Sequence, residues 1–337
     1  MPADFVHEPA TWGEFPAHRL ANAHLEVVIV PALGRVMHFS RAGAPRNELW
    51  TDTLRREGDA YVSPLGWANW GGDKTWLAPQ ARWSEIGAPA YMGDPAWGEP
   101  LHGEHTAAPL PDGGLRVTGP LSIFSGLRVS RDYHLDGDEL VILQRVENIS
   151  APRPHRLACW PVTNVPRPDC FYALPSPTSP YPEGVFRMVR MESADTIPLG
   201  RAGPFVTYRP ANRRPIKFGL DSDHAALASR RGGEIFIQRA ERPPGDYPDV
   251  PRHDPALPGM CAEYFDTGSH ARGDRPYAEL ELLGPLVNLA PGETTTHCVR
   301  WSLLALPSPD TELDPAQLEQ LAARLRAPVA RIAPGAP

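Results

Sequence analysis

The 337-residue chain has no run approaching the roughly 18 consecutive apolar residues of a membrane-spanning helix. It has no lysine-rich or arginine-rich block either: 33 basic residues are scattered among 40 acidic ones, for a net charge of -7. Nucleic acid and anionic membranes both call for a concentrated positive patch, so neither is expected as a partner. The four cysteines, Cys159, Cys170, Cys261 and Cys298, include no C-x-x-C pair, which leaves no zinc-ribbon or redox motif and reads as buried thiols. No G-x-x-x-x-G-K-[ST] phosphate loop occurs, and no segment repeats at a fixed period. The opening MPADFVHEPATW lacks the basic and apolar regions of a secretory leader, so a cytoplasmic protein is expected. In that compartment the RGD at Arg272 to Asp274 and the sequon at Asn148 to Ser150 are chance matches.

What the chain does have is 41 prolines and 29 glycines, the composition of a loop-rich fold. Between the loops the apolar residues alternate with period two, the mark of strands. HLEVVIVPALGRVMHF reads as two strands meeting at Pro31 and Gly34. GLRVSRDYHLDGDELVILQRVENIS reads as a hairpin, with Leu127, Val129, Tyr133 and Leu135 on one face and a turn at Asp136 and Gly137. HRLACWPV, KFGL, AALASR, EIFIQR, YAELELLGP and TTHCVRWSLLAL add further strands. One helix is expected, in DPAQLEQLAARLRA, with Asp314 as cap, Pro315 at the first position and Leu318, Leu321 and Leu325 along one stripe. The expectation is an all-β chain, residues 1–337 forming a single domain with a core over 20–306 and a helical extension at 310–330.

Four of the nine tryptophans fall within WANWGGDKTWLAPQARW, Trp67 to Trp83. Gly71 and Gly72 permit a sharp turn or a close ligand. Asp73, Lys74 and Gln80 place an acceptor, a cation and an amide beside indole faces, which suits a sugar; a packed core is the competing explanation. Arg131 shares an apolar strand face, so it must meet a ligand or a carboxylate such as Glu147. In YAELELLGPLVNLAPGE, Glu279 and Glu281 point to one side of a strand as a candidate acid/base pair or as a merely solvated face. His102 and His105 form an H-x-x-H without a third ligand, so no metal site is expected, although His102 remains a possible proton donor. The YPD loop offers Tyr247 and Asp249.

These segments, in order, resemble a bacterial family of unknown function within the galactose mutarotase-like superfamily, over roughly residues 20–306, most specifically at W-G-G-D-K-x-W-x-x-P-Q. The resemblance implies a β-supersandwich of two large antiparallel sheets and a carbohydrate ligand. It also implies a late-strand carboxylate as general base, matched by Glu281 with Glu279 beside it, ahead of Pro291, Gly292 and Glu293. The mid-chain acid histidine of aldose 1-epimerases is not carried over, because ACWPVTNV stands there. The chain is thus expected to bind a monosaccharide or sugar derivative between the tryptophan segment and the glutamate strand, through Trp70, Asp73, Gln80, Arg131, Tyr247 and Asp249. If it is catalytic, Glu281 would be the base and Lys74, His102 or Tyr247 the acid, with no cofactor. A non-catalytic sugar binder and a lyase or epimerase of acidic sugars, with Lys74 and Arg131 clamping a carboxylate, stand as alternatives. Trp70 and Trp76 are expected to divide the work, one facing ligand and one packing.

Overall fold

The structure, a computed structural model, describes residues 5–52, 69–86, 105–122, 125–150, 153–188, 197–251, 254–269, 276–308 and 312–330. Two compact units emerge. The first is drawn from Met1–Thr163 and Leu286–Cys298, and the second from Asn164–Pro285 and Val299–Ala330.

In the first unit the strands are β1 (Val6–Trp12), β2 (Phe15–Ala21), β3 (Leu25–Val30), β4 (Arg35–Arg41), β5 (Asp73–Ala78), β6 (Thr106–Pro109), β7 (Leu115–Thr118), β8 (Leu127–Asp136), β9 (Glu139–Asn148) and the residues of β10 (His155–Pro166) up to Thr163. β1 to β5 pair in chain order and β5 then pairs with β10; β6 to β9 form a second antiparallel ribbon. Pro31–Leu33 makes the expected break between β3 and β4, as a 3-10 turn closed by Gly34 in the left-handed region. The β8–β9 hairpin also forms, but Asp136 pairs with Glu139, so the turn is centred on Gly137 and Asp138, one residue later than Asp136 and Gly137. Gly137, at φ 60, takes the positive φ that a two-residue hairpin turn needs.

The second unit holds β11 (Cys170–Ala173), β12 (Val185–Arg187), β13 (Leu199–Ala202), β14 (Phe205–Tyr208), β15 (Ile216–Leu220), β16 (Ala226–Arg231), β17 (Glu234–Ala240), β18 (Ala262–Asp266) and β19 (Tyr277–Leu282). Later in the chain β20 (Val287–Leu289) returns to the start of β10, and β21 (Thr294–Ala305) pairs with β17 from Val299 onward. One layer of the second unit runs β12, β15, β18, β19 and the other β13, β14, β11, β16, β17, β21. Between them Phe171, Tyr208, Phe218 and Tyr264 meet ring to ring, with centroids 4.7 to 5.8 Å apart. Burying these even-numbered positions of β15 and β18 fixes the odd ones. Lys217, Glu263 and, opposite it in register, Glu281 are thereby turned to the other face of their sheet.

Helix α1 (Pro315–Arg326) starts as its sequence demands. Asp314 accepts from Gln317 N at 2.8 Å while Gln317 Oε1 accepts from Asp314 N at 2.9 Å, a complete capping box. Leu321, Ala322 and Leu325 are buried against Cys170, Tyr172, Phe205, Ala228 and Ile235, on the side of that layer away from the Phe171 cluster. No described helix is long and apolar enough to cross a membrane.

Candidate functional site

In the first unit the Gly-Gly pair is a structural requirement. Gly71 and Gly72 have φ of 75° and 69°, and a Cβ would stand 2.2 Å from the Trp50 carbonyl oxygen or 2.3 Å from that of Val36. The Gly71 carbonyl accepts from Arg35 Nη1 at 2.8 Å. This kink delivers β5 with Asp73 and Thr75 on one face and Lys74 and Trp76 on the other.

Asp73 is fully buried. Its Oδ1 accepts from Thr163 Oγ1 at 2.6 Å, and its Oδ2 is bonded by Nη2 of Arg131. Arg131 Nη1 also donates to the Asp73 carbonyl at 2.9 Å. Burial pushes the Asp73 carboxyl up, opposed chiefly by the Arg131 charge. Burial likewise opposes the guanidinium, but Asp73 outweighs it and raises the Arg131 pKa above its ordinary value. The acceptor Arg131 needed is therefore Asp73, 58 residues away, not Glu147. Next along β5, Thr75 donates to Gln144 at 3.0 Å. A cavity of about 30 Å³ beside these strands, lined in part by Lys74, Thr75, His105 and Arg131, has room for a water or two and not for a sugar ring.

On the opposite face the ammonium of Lys74 sits 3.6 Å from the centre of the Trp76 ring, a cation–π contact. Trp76 pairs in register with Trp160, and with Trp83 the three rings lie 5.2 to 6.3 Å apart. Trp83 Nε1 donates to the Leu77 carbonyl at 2.8 Å, whereas Trp76 Nε1 meets no acceptor among the described residues. Trp70 instead packs edge-on against Trp12 and Phe15. Trp76 thus accompanies the lysine and Trp70 the packing. Gln80 is exposed, at the head of the 3-10 segment Gln80–Ile86. His102 lies outside the described residues.

The second unit concentrates charge. Lys217 Nζ is 2.7 Å from Glu263 Oε2 and 2.9 Å from Glu281 Oε2. Both glutamates are 0% exposed, while the Lys217 side chain keeps 16%. Burial works against the ammonium, but Glu263, Glu281 and Asp249 together outweigh it and hold its pKa above the ordinary lysine range. Burial drives the Glu263 carboxyl well above the usual range; Lys217 opposes this, and the charges of Asp249 and Glu281 add to it. Glu281 is therefore not on a solvated face, and its carboxylate neighbour is Glu263 across the strands, not Glu279 two residues along. Glu279, half-buried, accepts from Asn164 Nδ2 at 3.0 Å.

Asp249 belongs to the proline-rich loop after β17 and adopts φ 58°, a left-handed conformation that aspartate tolerates better than most residues. The loop is pinned by Met260 N on the Pro248 carbonyl at 2.8 Å and by the Met260 side chain, which closes over Gly219. Tyr247 is buried, with its hydroxyl donating to the Pro243 carbonyl at 2.9 Å and Arg242 over its ring at 5.5 Å. Its single proton is committed to a loop contact, and burial raises its pKa.

Lys217, Glu263 and Asn164 were not singled out by the sequence pattern. One signal was there: of 33 lysines and arginines only Lys74 and Lys217 are lysine, and these two lie in the two polar clusters. A compact ammonium that gathers carboxylates, or sits on an indole, does what a planar guanidinium fork does not.

No family model and no curated protein matches the chain. Solved structures do. The Slr1438 protein from Synechocystis sp. PCC 6803 is 12% identical, over 88% of this chain and 99% of its own, with a TM-score of 0.54. A galactose mutarotase-like protein from Lactobacillus casei ATCC 334 is 11% identical, over 86% of this chain and 100% of its own, with a TM-score of 0.51. At such identities the likeness speaks for architecture, and with the antiparallel all-β layers and the C-terminal helix it gives this chain a galactose mutarotase-like fold.

Proposed function

We propose that the protein binds a neutral sugar and interconverts its anomers by acid/base ring opening, with Glu281 as general base. The observation that carries this reading is the buried Lys217–Glu263–Glu281 cluster, which holds a carboxylate on the late strand before Pro291, Gly292 and Glu293. In the reaction Glu281 removes the proton of the anomeric hydroxyl and the bond from the anomeric carbon to the ring oxygen breaks. The ring oxygen takes up a proton, the open-chain aldehyde rotates, and closure runs the same steps in reverse. Lys217, its Nζ 2.9 Å from Glu281 Oε2, offers its ammonium to a sugar hydroxyl.

Charge argues against an acidic substrate. Asp249, Glu263, Glu279 and Glu281 stand against one lysine, and of the expected clamp of Lys74 and Arg131, the arginine is engaged by Asp73 and the lysine lies on the Trp76 ring. Polarimetry on freshly dissolved aldoses tests the reading: wild type should accelerate mutarotation, and Glu281→Gln should lower the rate by roughly 10²–10⁴-fold, the usual loss of a general base. Background rates for wild type across neutral aldoses, with a thermal shift on sugar addition, would leave a non-catalytic binder. A larger shift with uronates than with neutral sugars would overturn the charge argument.

A further inference from the structure

Ring opening needs an acid as well as a base, and the mid-chain segment ACWPVTNV, Ala158 to Val165, holds no histidine. Glu263 sits on β18 directly opposite Glu281 on β19, with both side chains on the same sheet face. Directly opposed residues of an antiparallel pair bring their Cβ atoms to about 4.5–5.5 Å, close enough for two carboxyl groups to act on one small ligand. Their Oε2 atoms share the ammonium of Lys217 on β15. We infer that Glu263 is the proton donor to the ring oxygen, completing with Glu281 an acid/base pair built on adjacent strands. This rests on the epimerase reading of the Glu281 site.

The charges facing Glu263 are Lys217 from β15, Glu281 from β19 and Asp249 from the loop after β17. One cation against three carboxylates favours a proton held within the cluster. Burial favours placing it on Glu263, whose carboxyl is driven well above its usual range. Two interacting carboxyls with separated proton affinities are what acid and base roles at one pH require. In the forward step Glu263 gives its proton to the ring oxygen as Glu281 takes one from the anomeric hydroxyl. In closure the ring hydroxyl returns its proton to Glu263 while the anomeric oxygen recovers one from Glu281, so atoms and charge balance over the cycle. Of the trio, only the Lys217 side chain keeps any exposure, 16%, so it marks the side from which a sugar approaches the cluster.

The test pairs a protonation readout with kinetics on the full chain. The infrared difference between wild type and Glu263→Gln at neutral pH should show the carbonyl band of a protonated carboxylic acid. The variant should lose roughly 10²-fold or more in kcat with little change in KM, together with the alkaline limb of the wild-type pH profile. Lys217→Met is the second variant if Glu263→Gln does not fold: without the ammonium that opposes its upward shift, the alkaline limb assigned to Glu263 should move to higher pH. An active wild type with no difference band, or with an unchanged alkaline limb in Glu263→Gln, overturns the donor role and leaves Glu281 standing. A clear band in a wild type that accelerates no aldose sinks the epimerase reading and the donor role with it.

Discussion

Asp73 shows how a single residue can be conspicuous in a sequence and still serve the fold. Both its oxygens are engaged, by Thr163 and Arg131, with nothing left open to solvent. Breaking a buried ion pair from one side strands the other charge, so Asp73→Asn should cost about 3–5 kcal/mol in urea denaturation. Replacing both partners, Asp73→Leu with Arg131→Met, should restore much of that loss; a double variant as unstable as the single one would show that the pair contributes net stability. Gly72→Ala should be destabilising for two separate reasons, the φ of 69° and the Val36 carbonyl 2.3 Å from the new Cβ. Alanine at Gly137, whose Cβ would meet nothing within 4 Å, should bear only the conformational part, and comparing the two thermal midpoints separates the contributions.

At the level of elements, legibility followed periodicity. β19 was readable because Tyr277, Glu279 and Glu281 alternate cleanly with Ala278, Leu280 and Leu282. β18, which carries Glu263, was missed. Its Ala262, Tyr264 and Asp266 alternate with Glu263 and Phe265, so each face mixes polar with apolar and no period-two contrast remains. The helix was legible from its cap and stripe, and both are measurable. Asp314→Ala should cost about 1 kcal/mol through the lost cap, and Leu321→Ala about 2–5 kcal/mol through a cavity at a fully buried position. A Leu321→Ala loss no larger than that of Asp314→Ala would mean that α1 contributes little to the second unit.

Over the whole molecule, titration sets opposing slopes. Burial lowers the pKa of His7, His18 and His38 in the first unit. As pH falls below about 6.5 the unfolded chain takes up protons that the folded one resists, so the stability these groups contribute is full above that value and is lost on acidification. His38→Gln should flatten the decline in urea midpoint between about pH 7 and about pH 5.5. Glu263 has the opposite sign. Its folded pKa lies above the unfolded one, so its contribution is complete below about 4.3 and is lost as pH rises toward the folded value. Glu263→Gln should therefore gain stability relative to wild type as pH rises, and a constant difference across pH would contradict the protonated carboxyl. By itself the sequence determined the all-β class, about half of the described strands, the Pro31 break, the capped helix and the strand bearing Glu281, because each is written in neighbouring residues as a period or a cap. The tertiary structure alone decided that Arg131 serves Asp73 across 58 positions, that Lys217 gathers Glu263 and Glu281, and that Trp76, not Trp70, stands with Lys74. Such partners depend on which strands far apart in the chain lie side by side, and a period read along one strand fixes its faces but not its neighbour.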